Sequence, residues 1–263
     1  MVKNYKLILW HACVAVLVWM LWSYGQNVAF NSVTGIDFEV AGALNFIILS
    51  AVIVLGYILF QVRRWAITTA AIIGLLFLHY FGLTALNLSA VGIVLLFNLW
   101  SATRVRREIQ ERRVLNIPDA FYHGLTPVIL GLFVMISFAA YQSPFAEEIK
   151  SSDRLPSQSE VFFRGIVDKT IGQKIKVTDP RQREQVINEI SSQTFQEFSA
   201  FLKPYFQYAP PVLAFGLFLI LWGLSFIFIW LSGAVGMLFY WILKTTRVVR
   251  VEKQQVEAEV LVT

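Results

Sequence analysis

The sequence predicts an all-α integral membrane protein, a six-span transmembrane helical bundle with a helical extracytoplasmic loop between spans 5 and 6. Two observations carry this prediction: apolar residues are gathered into blocks long enough to cross a bilayer, and basic residues cluster at the ends of alternate blocks. Of 263 residues, 57% are hydrophobic, 15% aromatic and only 15% charged, against about 45–50% apolar and about 25% charged in a soluble globular chain. Mean hydropathy is +0.61. Amphipathic core helices would spread apolar residues at 3.6-residue spacing, whereas here they run in blocks of roughly 17 to 34 residues.

Five blocks, residues 7–22, 40–60, 66–83, 86–102 and 125–141, each approach the ~17–25 residues that cross ~30 Å of hydrocarbon. The first follows Lys3 and Lys6, and no small-residue cleavage pattern follows Trp19, Trp22 and Tyr24, so it reads as an uncleaved signal anchor. Residues 66–102 divide into two spans because His79, Gly82, Thr84, Asn87 and Ser89 supply turn chemistry at the middle. The last block, residues 210–243, is harder. A helix of about 33 residues is ~50 Å long, too long for one upright span and short for two. Its only comparable punctuation, Ser232-Gly233 with Gly236, comes too late to leave a second full span. It is therefore expected to be one span, either tilted or kinked near 232–236, where Trp230 marks an aromatic edge.

Charge then sets the orientation. With six spans, the cytoplasmic side receives Lys3, Lys6, Arg63, Arg64, the cluster Arg104, Arg106, Arg107, Arg112 and Arg113, and the basic residues of the tail at 244–263. The short outer loops contain no Lys or Arg. This positive-inside pattern places both termini in the cytoplasm of a plasma membrane and residues 142–209 outside it. The basic cluster also suits anionic lipid headgroups. Net charge is +5, yet the basic residues cap apolar blocks instead of lining one face, which argues against nucleic acid as a partner.

The outer loop opens two helices. Ser157 with Glu160 has capping-box spacing, and Asp179-Pro180 with Gln182 provides an N-cap followed by Pro at the first helical position. Their apolar stripes make Phe162, Ile166, Ile190, Phe198 and Phe201 a candidate partner surface, for an envelope protein or a second copy of the chain. The tail alternates in part through Val249, Val251, Val256 and Val260, reading either as short β-strands or as a fraying terminus. Gly124 and Gly131 in span 5, and Gly216 and Gly223 in span 6, recur at seven-residue spacing and are candidates for close helix packing.

Catalytic signatures were sought and are missing. No span carries Asp, Glu, Lys or Arg near its centre, the usual sign of ion coupling. There is no H-E-x-x-H or G-x-S-x-G pattern and no phosphate-binding glycine loop. The three histidines, His11, His79 and His123, fall at different depths, and Cys13 is the single cysteine, so no catalytic, cofactor or metal site is expected. The function expected is a non-catalytic membrane scaffold or envelope assembly component. The alternative is a channel or transporter for a small or apolar solute, lined by the scattered Asn, Thr and Ser of the spans.

The topology has a direct test. Replacing Arg104, Arg106, Arg107, Arg112 and Arg113 together by Gln should leave the spans insertable but give mixed orientation, read as dual accessibility of a cysteine placed at Gln110. Wholly cytoplasmic labelling of that variant would mean that packing, not charge, fixes the orientation.

Overall fold

A computed structural model describes residues 2–27, 40–111, 115–142 and 180–249. Every element among them is helical: α1 (Val2–Asn27), α2 (Val40–Phe60), α3 (Arg64–Phe81), α4 (Ala85–Glu111), α5 (Ile117–Tyr141), α6 (Pro180–Leu202), a 3-10 turn (Lys203–Tyr208), α7 (Ala209–Gly223) and α8 (Ser225–Thr245). Six of them, α1 to α5 and α8, are long and apolar enough to cross a membrane, and α7 is apolar but shorter. The expected helix at 159–171, the tail beyond Val249, and Arg112, Arg113, Phe162 and Ile166 lie outside the described residues.

Turn chemistry explains the short connections. Gln61 takes the left-handed region at φ 49° and closes α2, its N–H reaching the Tyr57 carbonyl at 3.1 Å. Gly82, at φ 83°, ends α3 with its N–H on the Leu78 carbonyl at 2.9 Å, a conformation that costs glycine little. Asn116 caps α5 by accepting from Asp119 N, with Pro118 in the first turn. Pro127 sits inside α5 without ending it, as neighbouring helices allow within a membrane.

α2 is the central helix. It packs against α1, α4, α5 and α8, while α3 and α4 close the ring between α1 and α5. Thirteen of its residues between Asn45 and Ile58 are buried. Glycines set the approach distances. A Cβ on Gly56 would overlap the Trp10 indole, one on Gly124 would come within 2.6 Å of both Val54 and Val105, and one on Gly74 within 2.6 Å of Val91. Small residues at such crossings let backbones approach and gain dispersion contact, the main attraction available between helices in lipid.

The last apolar block holds one helix long enough to span, as expected, but its interruption is not at 232–236. It breaks at Leu224, where Gly223 and Ser225 flank the interruption, and continues unbroken from Ser225 to Thr245. A Gly and Ser either side of one residue is a known site of helix bending. Ser232 and Gly236, the expected kink, instead form the buried face of α8. A Cβ on Gly236 would overlap the Phe121 ring, and one on Gly233 would touch Leu125 at 3.7 Å. Trp230 projects away from the bundle, 81% exposed, in the second turn of α8, far from the basic end at Lys244, so it does not mark the inner edge.

Register follows from rings. Phe228 meets Phe46 at 5.3 Å and Phe133 at 5.5 Å, and both α2 and α8 run toward the start of α1, where Lys6 Nζ donates to the Val248 carbonyl at 3.2 Å. Phe228 thus stands level with Phe46 and Phe133, and α7, which precedes it, packs on α5.

The glycine contacts predict a contrast. Gly56→Ala should lower the thermal midpoint of the detergent-purified protein by several degrees, through an overpacking cost of ~1–3 kcal/mol. Gly216→Ala, with nothing within 4 Å, should leave the midpoint unchanged.

Candidate functional site

One end of the bundle gathers the cations. Arg63 and Arg64 open α3, Arg104, Arg106 and Arg107 lie on the last turns of α4, and Lys244 and Arg247 close α8, all of them exposed. Contacts deeper in the bundle bring these helix ends together: Trp10 beside Gly56, His11 beside Trp65, and Val105 beside Gly124. Two of the arginines lie over neighbouring indoles, Arg64 over Trp65 at 5.1 Å and Arg104 over Trp100 at 4.7 Å. Such stacking orients a guanidinium without neutralising it. Between α4 and α5, His123 Nδ1 donates to the Asp119 carbonyl at 2.8 Å and lies 3.7 Å from Glu108.

At this same end an open groove of about 790 Å³ runs between α1 and α3. Ile8, His11 and Ala12 form one wall, and Arg64, Thr68 and Ile72 form the other. The His11 ring stands edge-on to Trp10 at 4.5 Å and to Trp65 at 5.7 Å. Its Nδ1 lies 3.0 Å from the Leu7 carbonyl. A carbonyl can only accept, so Nδ1 carries the proton. The Nε2 atom is buried with no hydrogen-bond partner.

Several polar residues within the spans bond across helices, while others, among them Thr69, Thr103 and Ser137, donate to carbonyls of their own helix. Trp10 Nε1 donates to the Val52 carbonyl at 2.9 Å, and Asn45 Nδ2 to the Leu17 carbonyl at 2.9 Å. Tyr57 donates its hydroxyl to Asn98 Oδ1 at 2.6 Å, and Ser101 donates to the Gly124 carbonyl at 2.7 Å. At the opposite end, Asn87 and Gln142 pair through their amides, and Asn87 Nδ2 also reaches the Gly82 carbonyl at 2.8 Å. Ser50 and Ser232 are buried without partners. Among the described residues no Asp, Glu, Lys or Arg is fully buried, and no three His, Cys, Asp or Glu side chains could hold a metal ion together.

The remaining candidates divide by position. Gly124 lies against Val54 and Val105, and Gly131 against Phe97 at 3.1 Å, but Gly216 and Gly223 have no neighbour within 4 Å. On α6, Ile190 is half-buried, Phe198 exposed and Phe201 67% exposed, while Ser191, Phe195 and Ser199 form its buried stripe. Sequence reasoning missed the α1–α3 groove, whose only advance signals were a histidine in span 1 and Thr68 one turn past Arg64.

No protein-family model matches the chain, and no curated protein or solved structure is similar to it.

The buried Tyr57–Asn98 bond gives a quantitative expectation. Tyr57→Phe should destabilise the protein by about 0.5–1.5 kcal/mol, as interhelical hydrogen bonds in membranes do. A double-mutant cycle with Asn98→Ala should recover most of that as coupling energy, and additivity would mean that the bond contributes nothing.

Proposed function

We propose that the chain is a non-catalytic membrane scaffold or envelope assembly component, held by six spans with both termini cytoplasmic and the 142–209 loop extracytoplasmic. The observation that carries this reading is the apolar surface running from α6 onto α7. Phe201, Tyr205, Tyr208, Val212 and Phe215 are all more than half exposed there. Contiguous aromatic and aliphatic exposure of this kind marks an interaction surface. The orientation is supported by the basic end, which follows the positive-inside pattern, and by the Lys6–Val248 contact, which puts the first and last helices at that same end.

A solute path is the less favoured reading. Phe46 stacks on Phe133 at 5.3 Å, and Phe228 stands edge-on to both, which fills the space between α2, α5 and α8. The polar side chains of the spans are largely engaged with backbone carbonyls or in the Tyr57–Asn98 and Asn87–Gln142 pairs, leaving little to replace the hydration of a passing solute.

A photo-crosslinking residue at Phe201 should form a discrete adduct with one envelope protein or with a second copy of the chain. The adduct should disappear on Tyr205→Asp, and a probe at Trp230 should give none of it. Recovery of unmodified monomer alone from the Phe201 probe would count decisively against an assembly role.

A further inference from the structure

We propose that the groove between α1 and α3 is a binding site for one anionic glycerophospholipid, its phosphate held by Arg64 and Thr68 and one acyl chain lying along Ile72 and Ala12. This assignment needs the chain to be in a membrane but does not depend on the assembly role.

Depth is the first argument. The turn at Gln61 starts α3 at the basic end of the bundle, and the His11–Trp65 contact places the first turn of α3 level with the third turn of α1. Arg64 therefore stands where headgroups lie, with Trp65 beside it as an interfacial aromatic. Along one face of α3 the residues at i, i+4 and i+8 are Arg64, Thr68 and Ile72, so polarity falls from cation to hydroxyl to hydrocarbon over two turns. On α1, Ile8 and Ala12 supply an apolar facing wall. That order matches a phosphate, its glycerol ester and an acyl chain.

Unused bonding capacity is the second argument. Thr69, Thr103 and Thr126 each donate to the carbonyl four residues earlier. Thr68 shows no such bond and lines the groove. Arg64 has no carboxylate partner among the described residues; its one contact, with Trp65, leaves its N–H groups available. The groove is open, with a volume of about 790 Å³, room for a headgroup with the first part of one chain. The lateral opening lets that chain continue into the bilayer. Charge favours a net-anionic headgroup, because Arg64 brings one positive charge, with Arg63 adjacent, and no compensating acid.

Native mass spectrometry of the full chain in detergent, titrated with phosphatidylglycerol or with phosphatidylcholine of the same chains, tests the site. One tightly held phosphatidylglycerol per chain is expected, with weaker retention of phosphatidylcholine. Arg64→Gln with Thr68→Val should reduce phosphatidylglycerol occupancy roughly fivefold or more. Ile72→Trp, which fills the acyl path without touching charge, should do likewise. Arg106→Gln, at the same end but outside the groove, should retain wild-type occupancy. The proposal is overturned if the groove variants, still folded by thermal midpoint and elution, bind phosphatidylglycerol as the parent does. It is also overturned if Arg106→Gln loses as much as they do, which would indicate diffuse surface charge, or if millimolar inorganic phosphate displaces the lipid. A photoactivatable phosphatidylglycerol on the unsubstituted protein provides a check free of folding effects. Its label should map to the α1 and α3 groove peptides, and labelling confined to other helices would refute the site.

Discussion

Lipid tails are as apolar as leucine, so helices already in a bilayer gain little hydrophobic energy by meeting, and close contact has to hold them together. In this chain that contact converges on α2. The Trp10 indole occupies the space over Gly56 and hydrogen-bonds the Val52 carbonyl one turn earlier, so a single side chain of α1 both fills a notch in α2 and fixes its register. Val54 on the next face meets Gly124, which ties α5 to α2, and Gly236 receives Phe121, which ties α8 to α5. Each crossing depends on a missing Cβ. The outer helices keep their positions because α2 presents small and β-branched residues where they arrive, and its own side chains are buried over most of its length.

Polar groups reinforce this packing because none of them has water to fall back on. Asn45 joins α2 to α1, Tyr57 and Asn98 join α2 to α4, and Ser101 joins α4 to the α5 backbone at Gly124. The last of these falls where the glycine already brings the two backbones close. Packing and hydrogen bonding thus act at the same crossing. The Asn87–Gln142 pair does the same at the far end, linking the start of α4 to the end of α5.

Sequence made the spans legible because hydrocarbon thickness imposes a length on them, and six apolar helices stand close to where the apolar blocks lie. It also made the α3–α4 hairpin legible, since Gly82 and Asn87 carry the turn chemistry that the structure uses. It misplaced the interruption in the last block. Ser232, Gly233 and Gly236 look like punctuation in a string of letters, but small residues in a span serve packing as readily as bending. Only the position of Phe121 and Leu125 on a helix a hundred residues away distinguishes the two. The α1–α3 groove was illegible for a related reason: Arg64, Thr68 and Ile72 can be read as one stripe from sequence, but their apposition to Ile8 and His11 belongs to the tertiary arrangement. Glycine spacing was a poor guide as well. The same seven-residue interval places Gly124 and Gly131 in tight contacts and leaves Gly216 and Gly223 facing open space.

The break at Leu224 separates two environments along one nearly continuous helix. Below it, α8 is anchored through Phe228, Ser232 and Gly236 against α2 and α5, and its remaining face is apolar, as lipid requires. Above it, α7 keeps the composition of a span and packs on α5. Leu224 retains a near-helical backbone, at φ −87° and ψ −3°, and its N–H still reaches the Ile220 carbonyl at 3.0 Å. The chain therefore stays hydrogen-bonded through the interruption, and the 3-10 turn Lys203–Tyr208 carries the same surface back to Phe201 on α6. A monomer that left these side chains in water would expose more contiguous apolar area than soluble surfaces ordinarily carry. On the proposed assembly role, burial by a partner or a second copy would remove that cost, and the packing of α8 on α2 and α5 would give such a partner a fixed base.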